Sequence, residues 1–168
     1  MAAFCPQCGH ATVKRVIERR DLDVCPECGH IQWRNPVVAT MVIVETPGGI
    51  VLGRRAIDPG RGLWCLPGGF VNDDEHPERA AERECEEEIA TGVDLTGLMG
   101  VYHIIRGDGT GMIALAYRAV LTGDGAPRAG HEMLEVGVFA PDNLPQVAFE
   151  SHRKAIADYS KSLGGRRW

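Results

Sequence analysis

No apolar run in this 168-residue chain approaches the ~20 residues that a helix needs to span a bilayer, which excludes a membrane-crossing helix. The opening residues, MAAFCPQC, lack the basic-then-apolar order of a secretory signal, so a cytoplasmic protein is expected. An excess of positive charge is also missing. The formal net charge is −5, and the first 36 residues carry five basic side chains (Lys14, Arg15, Arg19, Arg20, Arg34) against four acidic ones. That balance is no electrostatic footprint for a polyanion and argues against nucleic acid as a partner. Nothing repeats internally except two short cysteine motifs, and there is no helix-turn-helix segment. The negative charge, in contrast, is concentrated: nine of the 23 acidic residues lie between Asp73 and Glu88.

That acidic segment has a pattern. A helix is predicted over 76–90, where Pro77 is tolerated in the first turn and Glu and Arg supply helix propensity. Glu84, Glu87 and Glu88 stand at i, i+3 and i+4, so their side chains emerge on one face. Three like charges so close repel one another, and a bound cation removes the conflict. Mg²⁺ or Mn²⁺ suits carboxylate oxygens and commonly shares its site with substrate phosphates. Glu78, Glu82 and Glu86 read as a solvated face. Ahead of the helix, Leu66-Pro67-Gly68-Gly69 predicts a turn whose backbone can approach a ligand closely, with a carbonyl available to complete a coordination sphere. Glu75 and Arg83 read as a support pair, the guanidinium bridging loop and helix.

The second pattern is Cys5-Pro-Gln-Cys8-Gly-His and Cys25-Pro-Glu-Cys28-Gly-His, two C-x2-C knuckles 16 residues apart. Each offers two thiolates on a tight turn, and together they form a closed four-cysteine set with the spacing of a structural Zn²⁺ site. Iron in the same ligand set and a redox dithiol are the alternatives. His10 and His30 read as surface histidines. Metal binding supplies folding energy to a segment too small for its own core. Thiolate ligation prefers a reducing compartment, in line with the cytoplasmic expectation.

The remaining chain reads as α/β. The β-branched run 37–44 is too continuously apolar for a one-sided strand and is expected to be central. A hairpin partner at 50–55, a short strand at 63–66, strands at 98–105 and 112–121 joined by a glycine-rich turn, and a last strand at 136–140 follow. A helix over 149–163 closes the fold, and a mixed sheet in an α/β/α sandwich is predicted.

Gly69, Glu75, Arg83, Glu84, Glu87 and Glu88 match the box G-x5-E-x7-R-E-U-x-E-E-x-G-U, with U a bulky aliphatic residue, so the chain resembles the Nudix hydrolases. Cys85 takes the first aliphatic position, a mild change. Ala90 and Thr91 replace the closing glycine and aliphatic residue, which is expected to alter how the helix ends and leave the ligands intact. The ribbon, Asn35-Pro36, the segment Arg55 to Pro59, Gly62-Leu63-Trp64 and Leu66 to Phe70 make the likeness nearly chain-long. They are similar to the zinc-ribbon branch, which includes NADH, ADP-ribose and FAD pyrophosphatases. Leu134-Glu135, Phe139, Leu144-Pro145 and Ala148-Phe149 are similar to the ADP-ribose and FAD-cleaving members, and the signature of the NADH-specific group is missing.

The resemblance implies a zinc ribbon over 1–34, a Nudix domain over 35–163 and a flexible tail over 164–168. It implies two or three Mg²⁺ or Mn²⁺ ions on Glu84, Glu87, Glu88 and the Gly68 carbonyl, and hydrolysis of nucleoside-diphosphate-X to AMP and phosphorylated X. ADP-ribose or FAD is favoured for X, with NADH next. The general base is left between the box helix and the downstream Glu132 and Glu135. Arg55, Gly69 and Tyr102 are expected at the substrate, and Trp64 and Phe149 either stack on it or belong to the core. A homodimer is implied. The alternatives are a catalytically weak module that senses ADP-ribose or a related nucleotide, and a hydrolase of the dinucleotide cap on RNA.

Overall fold

The computed structural model describes residues 3–123 and 125–164 and divides into two compact units between Pro36 and Val37. Trp168 and most of the predicted tail lie outside the described residues.

The first unit is a three-stranded antiparallel sheet, β1 (Val13–Ile17), β2 (Arg20–Val24) and β3 (Ile31–Gln32). Glu18 and Arg19 both take positive φ between β1 and β2, as a two-residue hairpin whose twist matches its strands requires. The two knuckles are copies of one another. Gly9 and Gly29 donate to the carbonyls of Cys5 and Cys25, and the amides of Cys5 and Cys25 donate to His10 and His30.

The second unit holds a six-stranded mixed sheet. Its strands are β4 (Val37–Thr46), β5 (Gly49–Arg55), β6 (Trp64–Cys65), β7 (Val93–Ile105), β8 (Gly111–Leu121) and β9 (Met133–Phe139). The order is β6-β5-β4-β8-β7, and β9 lies against β5. β4 and β8 run parallel, and the remaining pairs are antiparallel. Two helices cover the sheet, α1 (Pro77–Ile89) and α2 (Glu150–Leu163).

The unbroken apolar run of β4 follows from burial on both faces. Met41 and Ile43 pack with Ile50, Leu52, Ala155, Ile156 and Tyr159 on the α2 side. Val42 and Val44 pack with Val51, Ala81, Cys85 and Ile89 on the α1 side. Cys85 is fully enclosed, so at this box position it serves as a small hydrophobe.

β7 begins at Val93, five residues before the predicted strand, and is irregular near Gly97 and Gly100. Those irregularities break the two-residue alternation by which a strand is recognised. Among the described residues no helix is long and apolar enough to cross a membrane.

Candidate active site

β4 pairs with β5 only beside their shared turn, at Glu45 with Ile50 and Thr46 with Gly49. Further along, the Leu66–Phe70 turn takes the edge of β4: Thr40 N donates to Gly69 O at 2.7 Å and Val42 N to Pro67 O at 2.8 Å. Gly68 sits at φ 144°, and a Cβ there would collide with the Thr40 carbonyl. At Gly69 a Cβ would lie 2.5 Å from the Glu84 carboxylate. Both glycines therefore let backbone and carboxylates crowd together. The Gly68 carbonyl has no hydrogen-bond donor among the described residues.

The acidic helix starts at His76, whose Nδ1 accepts the Glu78 amide, and runs with its carboxylates toward this turn. Arg83 organises them. Its Nε and Nη2 grip Glu75 at 3.1 and 2.8 Å, Nη2 also reaches the Phe70 carbonyl, and Nη1 reaches Glu84 at 2.8 Å and Glu87 at 3.3 Å. The guanidinium and the Asn72 amide hold the Glu75 carboxyl below the usual range. The predicted support pair is thus a bidentate bond that also orients two box carboxylates.

Glu88 is 4% exposed, and its Oε2 accepts the Gly68 amide at 2.9 Å. Burial raises its pKa to about 8 against the pull of that amide, with Glu84 adding to the rise. Burial likewise raises Glu84, and Glu132 contributes at both positions. Glu132 arrives on the 128–133 segment, which docks on the end of α1: Arg128 N donates to Ile89 O and Gly130 N to Glu88 O. A Cβ on Gly130 would strike the Glu87 carbonyl, so a glycine is what lets Glu132 come this close.

These groups line a cavity of about 980 Å³. Its wall includes Gly68, Gly69, Glu84, Glu87, Glu88 and Glu132, and farther round it Arg55, Phe149 and His152. The Arg55 guanidinium lies 5.1 Å from the Phe149 ring centroid, and the Phe149 and His152 rings are 5.1 Å apart.

Three of the candidate residues do not join this wall. Glu135 pairs with Arg54 at 3.4 Å on the exposed side of β9. Trp64 packs edge-on against Phe139 with centroids 4.7 Å apart, in keeping with the core alternative for this ring. Tyr102 is buried, and its hydroxyl donates to Asp158 of α2.

Sequence reasoning missed His152, Phe70 and Arg106, all on the wall, with Arg106 lying 5.8 Å from the Phe70 ring. Arg106 was hidden in a segment read only as a turn. The signal for His152 was its place three residues after Phe149 on a helix, the spacing that puts both on one face.

In the first unit the four cysteine sulfurs lie within 4.8 Å of one another, with close pairs at 3.4 to 3.6 Å. Tetrahedral ligation with Zn–S bonds of about 2.3 Å places sulfurs about 3.8 Å apart. The clustering of four sulfur donors fits a cation. The box carboxylates do not converge in this way. Spread along one wall and partly held by Arg83, they fit hydrated ions that keep several waters and share their sphere with phosphates.

An acidic helix packed against a glycine turn, the two together lining an open cavity, is a wall suited to cations and phosphate. The family profile described as the NUDIX domain matches residues 34–159, and the chain belongs to the Nudix family of hydrolases, within its pyrophosphatases. It is 34% identical over 153 residues to the ADP-ribose pyrophosphatase of Methanocaldococcus jannaschii, covering 90% of this chain and 86% of that one. A Nudix hydrolase of Nitrosomonas europaea superposes with a TM-score of 0.86 at 31% identity, over 98% of this chain and 93% of the other. A MutT Nudix hydrolase of Burkholderia pseudomallei gives 0.67 at 33% identity, over 74% and 98%. The mixed sheet and paired helices are thus the Nudix fold, preceded by a cysteine cluster with the geometry of a zinc ribbon.

Proposed function

We propose that this protein hydrolyses the diphosphate linkage of a nucleoside-diphosphate-X compound, with ADP-ribose the favoured substrate, FAD beside it and NADH behind, releasing AMP and phosphorylated X. The observation that carries the reading is the buried Glu88 carboxylate, tied to the Gly68 amide beside Glu84 and Glu132 on the wall of a large cavity. The near chain-long likeness to an ADP-ribose pyrophosphatase supports the choice of substrate.

Glu84, Glu87, Glu88 and the Gly68 carbonyl would hold Mg²⁺ or Mn²⁺, which when bound neutralises diphosphate charge and acidifies water. Arg83 and Glu75 keep those ligands in register. Glu132 is the downstream residue we assign as general base. It shares the wall with the box carboxylates, whereas Glu135 is engaged by Arg54. Arg55 and Phe149 bind the substrate away from the carboxylates. The four cysteines hold Zn²⁺ as a structural ion. A cytoplasmic homodimer belongs to the same reading. The edge strand β7, with Leu98, Val101 and Ile105 exposed, supports self-association.

The test is a panel of ADP-ribose, FAD, NADH, NAD⁺, diadenosine tetraphosphate and dNTPs with Mg²⁺ or Mn²⁺, products resolved by chromatography. AMP from ADP-ribose or FAD at kcat/KM above about 10⁴ M⁻¹s⁻¹ supports the reading. Preferential turnover of dNTPs would replace it.

A further inference from the structure

His152 has no place in the box, yet it is built into the cavity with unusual definition. It stands in the first turn of α2, three residues after Phe149, and its Nδ1 accepts the Leu66 amide at 3.0 Å. A nitrogen that accepts an N–H carries no proton of its own, so the imidazole is the neutral tautomer with its hydrogen on Nε2. Desolvation and the neighbouring Arg55 charge lower its pKa to about 4. Nε2 has no hydrogen-bond partner among the described residues, none of whose buried side-chain nitrogens or oxygens lacks one. It therefore opens to solvent, and the residue forms part of the cavity wall.

The surroundings say what this donor can take. Arg55, anchored through Nε to the Pro59 carbonyl at 2.8 Å, is near enough for its charge to act on both His152 and Glu88. It is thus the cation shared by this part of the wall and the carboxylate cluster. Toward the box the wall is acidic and suited to phosphate only through cations. Around Arg55 and His152 it offers a fixed positive charge and a fixed neutral donor, which suits an anionic oxygen directly. Asp58 and Glu150, the acidic residues on this part of the wall, are both exposed.

We propose that His152 is a substrate-binding residue: its Nε2–H donates to the diphosphate oxygens turned away from the box carboxylates, beside the Arg55 guanidinium. The Leu66 amide acts through His152 as its positioning group, since it fixes which nitrogen carries the hydrogen. The inference rests on the diphosphate reading of the cavity and adds the residue that holds the second phosphate.

Two substitutions separate substrate binding from a purely structural bond to Leu66. Asn retains an acceptor at the Nδ1 position and removes the cavity donor. Gln retains a donor at the Nε2 position and weakens the bond to Leu66. Calorimetric titration of the zinc-loaded full chain in Mg²⁺ would use two probes that cannot be hydrolysed, methylenediphosphonate and α,β-methylene ADP. His152→Asn is expected to bind both about 10-fold more weakly, the worth of one hydrogen bond to a charged group, with a melting temperature near that of wild type. His152→Gln is expected to remain within about 3-fold of wild type. The reverse pattern, normal binding by His152→Asn and weakened binding by His152→Gln, would overturn the proposal and leave the diphosphate reading standing. If the wild-type protein binds neither probe, both fall together.

Discussion

A carboxylate with 4% of its surface exposed has left water for one backbone amide and two carboxylate neighbours, an arrangement unfavourable to folding until a cation arrives. Because its folded pKa of about 8 lies above the unfolded value of 4.5, the native state holds a proton that the unfolded chain has released. Stability is therefore lost as pH rises from about 4.5 to about 8. Glu88→Gln removes that titration. At pH 8 without Mg²⁺ or Mn²⁺ the variant is expected to be about 1–2 kcal/mol more stable than wild type by denaturant unfolding. With the cation present, its turnover should fall roughly 100-fold or more. Persistence of hydrolysis within a few fold would remove Glu88 from the metal site.

His152 gives the opposite sign. Its folded pKa of about 4 lies below the unfolded 6.5, so the unfolded chain takes up the proton first. Stability present above about pH 6.5 is lost as pH falls toward 4, on the order of 1–2 kcal/mol, and His152→Asn should lack this part of the acid limb in thermal melts at pH 4 and 7. At this scale the box was legible because carboxylates that share one helix face must recur at helical spacing. Arg106 was not, because a distant segment brings it to the cavity and no local pattern records that approach, and His152 was marked only by its spacing from Phe149.

At the scale of elements, α1 is informative at its end. Ala90 takes the left-handed conformation, φ 50° and ψ 35°, where the box pattern has glycine and where a Cβ costs about 1 kcal/mol or more. Ala90 is exposed, so the conformation and not a packing contact sets the cost. Ala90→Gly is expected to stabilise the protein by about 0.5–1 kcal/mol in urea unfolding, with kcat unchanged; a destabilised variant would contradict the account of this cap.

β4 was readable as a central strand because burial on both faces demands an unbroken apolar run. The early start of β7 was not, since the irregularities near Gly97 and Gly100 disrupt its alternation. The 128–133 segment was equally silent. Up to Glu132 it has no regular element, and its meaning lies in the contact of Gly130 with the end of α1.

For the molecule as a whole, the chain presents two kinds of donor set in two units. Four soft sulfur donors lie close together in the first, and hard carboxylates line an open cavity in the second. Elemental analysis is expected to find one zinc per chain, lost in Cys8→Ser together with the ordered knuckles. Zinc-free wild-type protein with an intact first unit would contradict that assignment.

The central claim is diphosphate hydrolysis, and a ³¹P NMR time course of ADP-ribose with the protein and Mg²⁺ tests it most directly. The account predicts that the diphosphate resonances give way to two phosphomonoester signals, those of AMP and ribose 5-phosphate, and that Glu88→Gln nearly abolishes the change. Diphosphate resonances that persist while ADP-ribose still raises the melting temperature would contradict it and identify a sensing module.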